Sequence, residues 1–167
     1  MFSPFKSLSD HSRIWIYQAK RKFNYQELAI ISEVLSAFTE RWSVHGIPLS
    51  SSFEVRMDQF IILAADENSS GVSGCSIDDS VRTIKDLGNR LGMDFFDRTM
   101  VGIKKDGEIV TIHMADLQRK YYEGVWNKKT LVINNLIKQK GDLETHWLVP
   151  AEMTWLKRYL PKEKVAS

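Results

Sequence analysis

A single cysteine, Cys75, leaves the chain no internal disulfide and no covalent reason to expect an oxidising compartment. Charge of one sign is also lacking. The 23 Lys and Arg nearly balance the 21 Asp and Glu, and a net charge of +2 gives nucleic acid or a membrane surface little to hold. The longest aliphatic and aromatic run, FIILAA at 60–65, is far too short to span a bilayer. His11, His45, His113 and His146 are dispersed and no CxxC occurs, so neither a metal site nor any cofactor is expected. The basic groups KRK (20–22), KK (104–105) and NKK (127–129) sit among acidic residues, without interleaved aromatics, so a nucleic-acid track is not expected. The opening MFSPFKSLSDHSR has no apolar signal-peptide core. A cytoplasmic protein without membrane contact follows as the expectation.

What is present is the composition of a globular protein, with 43% apolar and 26% charged residues in a 167-residue chain. Residues 1–11 are polar and aperiodic and read as a flexible tail, as do 161–167. The residues between, 12–160, read as one domain without a linker or an internal repeat.

RIWIYQA (13–19) is short and rich in aromatic and β-branched residues, which predicts a strand. NYQE (24–27) is a capping-box pattern, and Leu28, Ile31, Leu35, Phe38 and Trp42 then recur at helical spacing, with Gly46 and Pro48 as the stop. SFEVRM alternates, and QFIILAAD has no polar side, which predicts a central strand. Ser76 and Asp79 predict a second helix start, followed by Ile77, Val81, Ile84, Leu87 and Leu91 and closed by Gly92. TMVGIKKDGEIVTIH carries Asp-Gly between two β-type runs, a strong hairpin signal. The order is strand, helix, strand, strand, helix, strand. It predicts an α+β fold with a ferredoxin-like βαββαβ core, an extra hairpin strand and a C-terminal extension. In the extension, MADLQRKYYEG predicts a short helix and AEMTWLKRYL a terminal one with Met153, Leu156 and Leu160 on one face and Pro161 as its end. TLVINNLIKQKGDLETHWLV reads as a hairpin turning at Lys140-Gly141, with a strand followed by helix as the alternative.

The strings RIWIYQA, RWSVHGIPL, SGCSIDDS, DFFDR and LETHWLVP resemble a family of small soluble bacterial proteins of uncharacterised function, some of which carry an automatic label of ABC-transporter ATPase. The resemblance covers nearly the whole chain and implies a single cytoplasmic domain; it brings no catalytic residues with it. The label fails on the residues. A P-loop requires Gly-x-x-x-x-Gly-Lys-Ser/Thr, and the only glycines so spaced, Gly102 and Gly107, are followed by Glu108.

Chemistry, if any, is expected at SGVSGCSIDDS (70–80). In the structural reading Gly71 and Gly74 turn the chain, Ser76 caps the helix, and Asp78 and Asp79 complement the dipole of its first turn. A ligand at this loop would meet Glu67, Ser73, Gly74, Ser76 and Asp78. In the catalytic reading Cys75 is a nucleophile at a helix start, His45 its base and Asp66 the group orienting the imidazole. Tyr121, Tyr122, Trp126, Trp147 and Trp155 are expected as core, with some left for a ligand pocket or a subunit contact. The leading expectation is a non-catalytic module that binds a ligand or a protein partner, with homo-oligomers as one form. The alternative is a thiol-dependent enzyme using Cys75 and His45.

Overall fold

Asn24 opens the first long helix. Its side chain accepts from the Glu27 amide at 2.8 Å, while the Glu27 carboxylate accepts from the Asn24 amide at 3.0 Å. The spacing read from the sequence thus produces a complete capping box at the start of α1 (Tyr25–Arg41), whose inward face buries Ile31, Leu35 and Phe38. The computed structural model in which this is seen describes residues 1–67 and 71–162. Strand β1 (Arg13–Gln18) precedes α1. After it come β2 (Ser43–Val44), β3 (Ile47–Pro48), β4 (Ser51–Arg56), β5 (Phe60–Ala65) and α2 (Gly74–Leu91). The rest comprises β6 (Met100–Lys105), β7 (Glu108–His113), α3 (Leu117–Tyr122), β8 (Leu131–Ile133), α4 (Leu143–His146) and β9 (Leu148–Pro150). The fold is α+β with small antiparallel sheets.

The chain forms two compact units, a finer division than the one domain expected over 12–160. The first comprises Met1–Asp97 and Asn135–Leu143, the second Arg98–Asn134 and Glu144–Ser167. In the first unit the sheet order is β1-β5-β4, all antiparallel, with Trp15 opposite Leu63 and Phe53 opposite the same residue. All six residues of β5 are fully buried, so the run without a polar side is the central strand it was expected to be. Ile61, Leu63 and Ala65 meet Ile31, Leu35, Phe38 and Trp42 of the α1 segment and Ile84 and Leu87 of α2 in one core. The α2 helix ends as its sequence indicates, at Gly92 with φ 67°.

Three expectations about this unit are corrected. A ferredoxin-like sandwich would place the strand after α2 at the free side of β1. Residues 100–105 instead pair with β7 and β8 in a different sheet, and the segment beside β1 is 138–140. Ladder bonds join main chains, so strand order alone did not reveal which sheet a strand enters. Secondly, α1 does not run on to Gly46 and Pro48. It stops at Trp42, and His45 and Gly46, with φ of 49° and 80°, form the two-residue turn of the β2–β3 hairpin. Thirdly, residues 1–11 are not a loose tail. The Met1 ammonium donates to the Leu49 and Thr39 carbonyls at 2.7 and 3.2 Å, Phe2 bridges to Ser51, and Leu8 is buried. The expected tail at 161–167 lies, from residue 163, outside the described residues.

In the second unit the sheet order is β7-β6-β8-β9. Asp106 and Gly107, at φ 52° and 79°, make the expected tight hairpin. The core gathers Val101, Ile103, Ile112, Leu117, Trp126, Val132, Ala151 and Leu156. MADLQRKYYEG is helical as expected, through a 3-10 turn and α3. β8 and β9 do pair, Val132 opposite Val149, but not by a turn at Lys140-Gly141. Residues 134–147 intervene, and 135–143 of these belong to the first unit. The expected terminal helix is two 3-10 segments, Ala151–Met153 and Trp155–Tyr159. Thr154 divides them, its side chain accepting from the Leu156 amide at 3.1 Å, and Met153 is exposed while Leu156 is buried, so the two do not share the one face expected of them.

Candidate functional site

The start of α2 is built by serines and a tryptophan. Ser73 is the N-cap, with its Oγ accepting from the Ser76 amide at 3.2 Å, so the helix begins one turn earlier than the expected cap at Ser76. Ser76 is buried within the first turn. Its hydroxyl donates to the Ser43 carbonyl at 2.8 Å, and its own carbonyl accepts from the Trp42 indole Nε1 at 2.9 Å. These bonds stitch residues 42–43, just past α1, onto the first turn of α2. His45, two residues on from Ser43, is therefore at the same end of the unit as Cys75.

The same shift of the helix start changes the acidic residues' role. No acidic residue lies in the first turn, so Asp78 and Asp79 do not complement its dipole as expected. Asp79 instead receives Arg41 at 3.2 Å, joining the ends of α1 and α2, while Asp78 is exposed. Gly71 has the positive φ, 64°, that a sharp turn asks of glycine. Gly74 does not: its φ is ordinary for a helix and a Cβ there would meet nothing within 4 Å.

Cys75, the second residue of α2, is exposed, and His45 is exposed at the tip of its hairpin. Among the described residues no hydrogen bond joins the thiol to the imidazole. Asp66 and Glu67 follow β5 toward this end. The Asp66 amide donates to the Ser50 carbonyl at 2.8 Å, and Glu67 stands 3.6 Å from Arg13. The sequence-selected residues thus share one end of the first unit, but Ser73 and Ser76 make contacts that hold the fold there, and Glu67 stands in a solvent-exposed pair with Arg13. Among the described residues no group of three His, Cys, Asp or Glu side chains is placed to hold a metal ion. Ser70 of the motif lies outside the described residues.

Sequence reasoning passed over Trp42 Nε1 and the Ser43 carbonyl, the two groups that fix the start of α2. The signal for the cap was present as two serines three residues apart, Ser73 and Ser76. Asp79 follows Ser76 at capping-box spacing and so points to Ser76, one turn past the residue that caps.

In the second unit the aromatics divide. Trp126 is buried and its Nε1 donates to the Leu117 carbonyl at 2.8 Å, with the Tyr121 ring edge-on to it at 5.2 Å. Trp147 is also buried. Tyr122 and Met153 are 74% and 76% exposed, and Trp155 is 39% exposed between the Tyr159 ring at 6.0 Å and the Arg158 guanidinium at 5.4 Å. Gly102 and Gly107, the pair with P-loop spacing, lie in the β6–β7 hairpin and not before a helix. Among the described residues no helix is long and apolar enough to cross a membrane. No family model, curated protein or solved structure matches the chain.

Proposed function

We propose that the protein is a non-catalytic, cytoplasmic interaction module. The observation that supports this most directly is the employment of the polar residues at SGVSGCSIDDS. Ser73 caps α2, Ser76 is clamped between Ser43 and Trp42, and Asp79 is paired with Arg41. A reacting group must be free to meet substrate in the transition state, whereas the two serines satisfy main-chain groups and Asp79 holds a guanidinium of the neighbouring helix. The exposed Tyr122, Met153, Trp155 and Arg158 of the second unit support the interaction part of the reading, because aromatics, Met and Arg are the residue types enriched at protein contacts.

The thiol-enzyme reading has one observation in its favour, the exposure of Cys75 at a helix start free of first-turn carboxylates. Alkylation with iodoacetamide separates the two. The module is expected to react at the rate of a cysteine in a short unstructured peptide, and His45→Ala is expected to leave that rate unchanged. Markedly faster modification that His45→Ala slows would transfer the assignment to the enzyme.

A further inference from the structure

Residues 135–143 form a strap along the outer side of β1. The Ile14 amide donates to the Lys138 carbonyl at 2.9 Å, the Lys140 amide to the Ser12 carbonyl at 2.9 Å, and the Gly141 amide to the Asp10 carbonyl at 2.9 Å. Between the first two bonds Arg13 and Gln139 face one another as an isolated antiparallel bridge. The strap therefore occupies the position of a fourth strand, but with only one bridge's length of ladder.

Main-chain bonds of this kind accept any extended segment, since an open strand edge is a row of donors and acceptors. The side chains around them are selective. The Lys140 ammonium donates to the Leu8 carbonyl at 2.6 Å and the Lys6 carbonyl at 3.3 Å, and lies 5.4 Å from the centre of the Phe5 ring. Asn135 Nδ2 donates to Gln18 Oε1 at 3.1 Å. Gly141 is held so closely that a Cβ there would come within 3.2 Å of Asp10. Leu143 is buried at the strap's end. The edge thus reads a segment that is extended up to Gln139 and turns into a 3-10 helix at Lys140-Gly141, which the chain itself supplies.

The connectivity completes the argument. The strap leaves the second unit after Asn134 and returns to it at Glu144, while the first unit's other segment ends at Asp97. If second unit and strap together change partners, only the link at Asp97–Arg98 has to pass from one copy to another. Every strap bond is then remade with an identical partner group, the condition under which element exchange between protomers costs little. We propose that the strap is exchangeable, and that the β1 edge of one copy accepts residues 135–143 of a second copy. This interface does not involve the exposed aromatics invoked above, so either proposal can fail alone.

The Arg13–Gln139 bridge supplies the test. The bonds on either side of it make it a non-hydrogen-bonded antiparallel pair, whose Cα atoms lie about 4.5 Å apart, within disulfide reach. In a Cys75→Ser background, Arg13→Cys and Gln139→Cys are made singly and together. The two single variants are mixed at high concentration under mild oxidation and examined on a non-reducing gel. A mixed disulfide dimer, several-fold in excess of the dimer either variant gives alone, is expected. Lys140→Ala or Gly141→Val on the Gln139→Cys chain is expected to reduce it. A double variant that closes within one chain while the mixture yields no excess dimer would overturn the proposal. A double variant that forms no disulfide at all would do so as well, because the strap would not lie beside β1.

Discussion

Gly88 and Gly74 are glycines of the same helix under opposite constraints. A Cβ on Gly88 would come within 2.5 Å of the Met93 carbonyl and 3.3 Å of the Phe95 ring, and neither the main chain nor a core ring can yield cheaply. Gly88→Ala is therefore expected to destabilise the protein by about 1–3 kcal/mol, the range of an overpacked core site. Gly74 has open space around it and an unstrained helical backbone, so Gly74→Ala is expected to stabilise by about 0.4–1 kcal/mol through the unfolded chain. Urea titrations of the two variants check both signs, and equal effects would contradict the account. Neither requirement was legible in the sequence. Gly74 stood beside Cys75 and invited a functional reading, while Gly88 lay inside a helical pattern and invited none. What decides each is the atoms across from it. Gly92 and Gly107 were legible because their demands are local, a helix end and a two-residue turn with positive φ.

At the scale of the element, α1 shows what a local signal does and does not determine. NYQE disclosed the helix start because all the atoms of a capping box belong to four consecutive residues. The Glu27 carboxyl is held below the usual carboxylate range first by the Arg21 guanidinium, which donates to it at 2.8 and 3.1 Å, and then by the Asn24 amide. A group with a lowered folded pKa contributes stability that is present above its unfolded value, about 4.3 for Glu, and is lost as pH falls through the folded value. Glu27→Gln keeps a side chain able to cap but removes the charge. Comparing urea midpoints at about pH 7 and about pH 3, the wild type is expected to lose more stability on acidification than the variant. The difference is expected to be small, because Arg21 is half exposed and solvent screens the pair. Identical acid dependence in both proteins would remove Glu27 from the account. The end of α1 is not disclosed by its own residues, for the converse reason. Gly46 and Pro48 have the residue types of a helix stop, but Trp42 ends the helix and spends its indole N–H on α2, a partner 34 residues away. The terminal 3-10 segments escaped in the same way, since Met153 and Leu156 have helical spacing and only Thr154 marks the break.

For the molecule as a whole, the most exacting position is Ile62. It is fully buried in a strand that pairs with β1 on one side and β4 on the other. Ile62→Asp would place an unpaired carboxylate there and is expected to cost more than about 4 kcal/mol, enough to unfold the first unit. Circular dichroism and urea titration measure it, and a variant as stable as the wild type would show that β5 is not central. The centrality of β5 was legible because six consecutive apolar residues leave a strand no solvent face. The pairing of β8 with β9 was legible too, as the two ends of a hairpin, but the course of residues 134–147 between them was not, and nor was the strap, because its bonds run between main-chain atoms that every residue carries. The strap also sets an order in time. Leu8 and Lys140, joined by a 2.6 Å bond, are 132 residues apart in the chain. At roughly 5–20 residues per second, a ribosome needs about 7–26 s to make the second after the first. For the last part of that interval, about 2–10 s from the completion of α2 at Leu91 to Lys140, a nascent chain has β1, α1, β4, β5 and α2 but no strap, and its β1 edge is bare. On a message read by several ribosomes, the spacing of neighbouring nascent chains then competes with elongation speed in deciding whose strap arrives first.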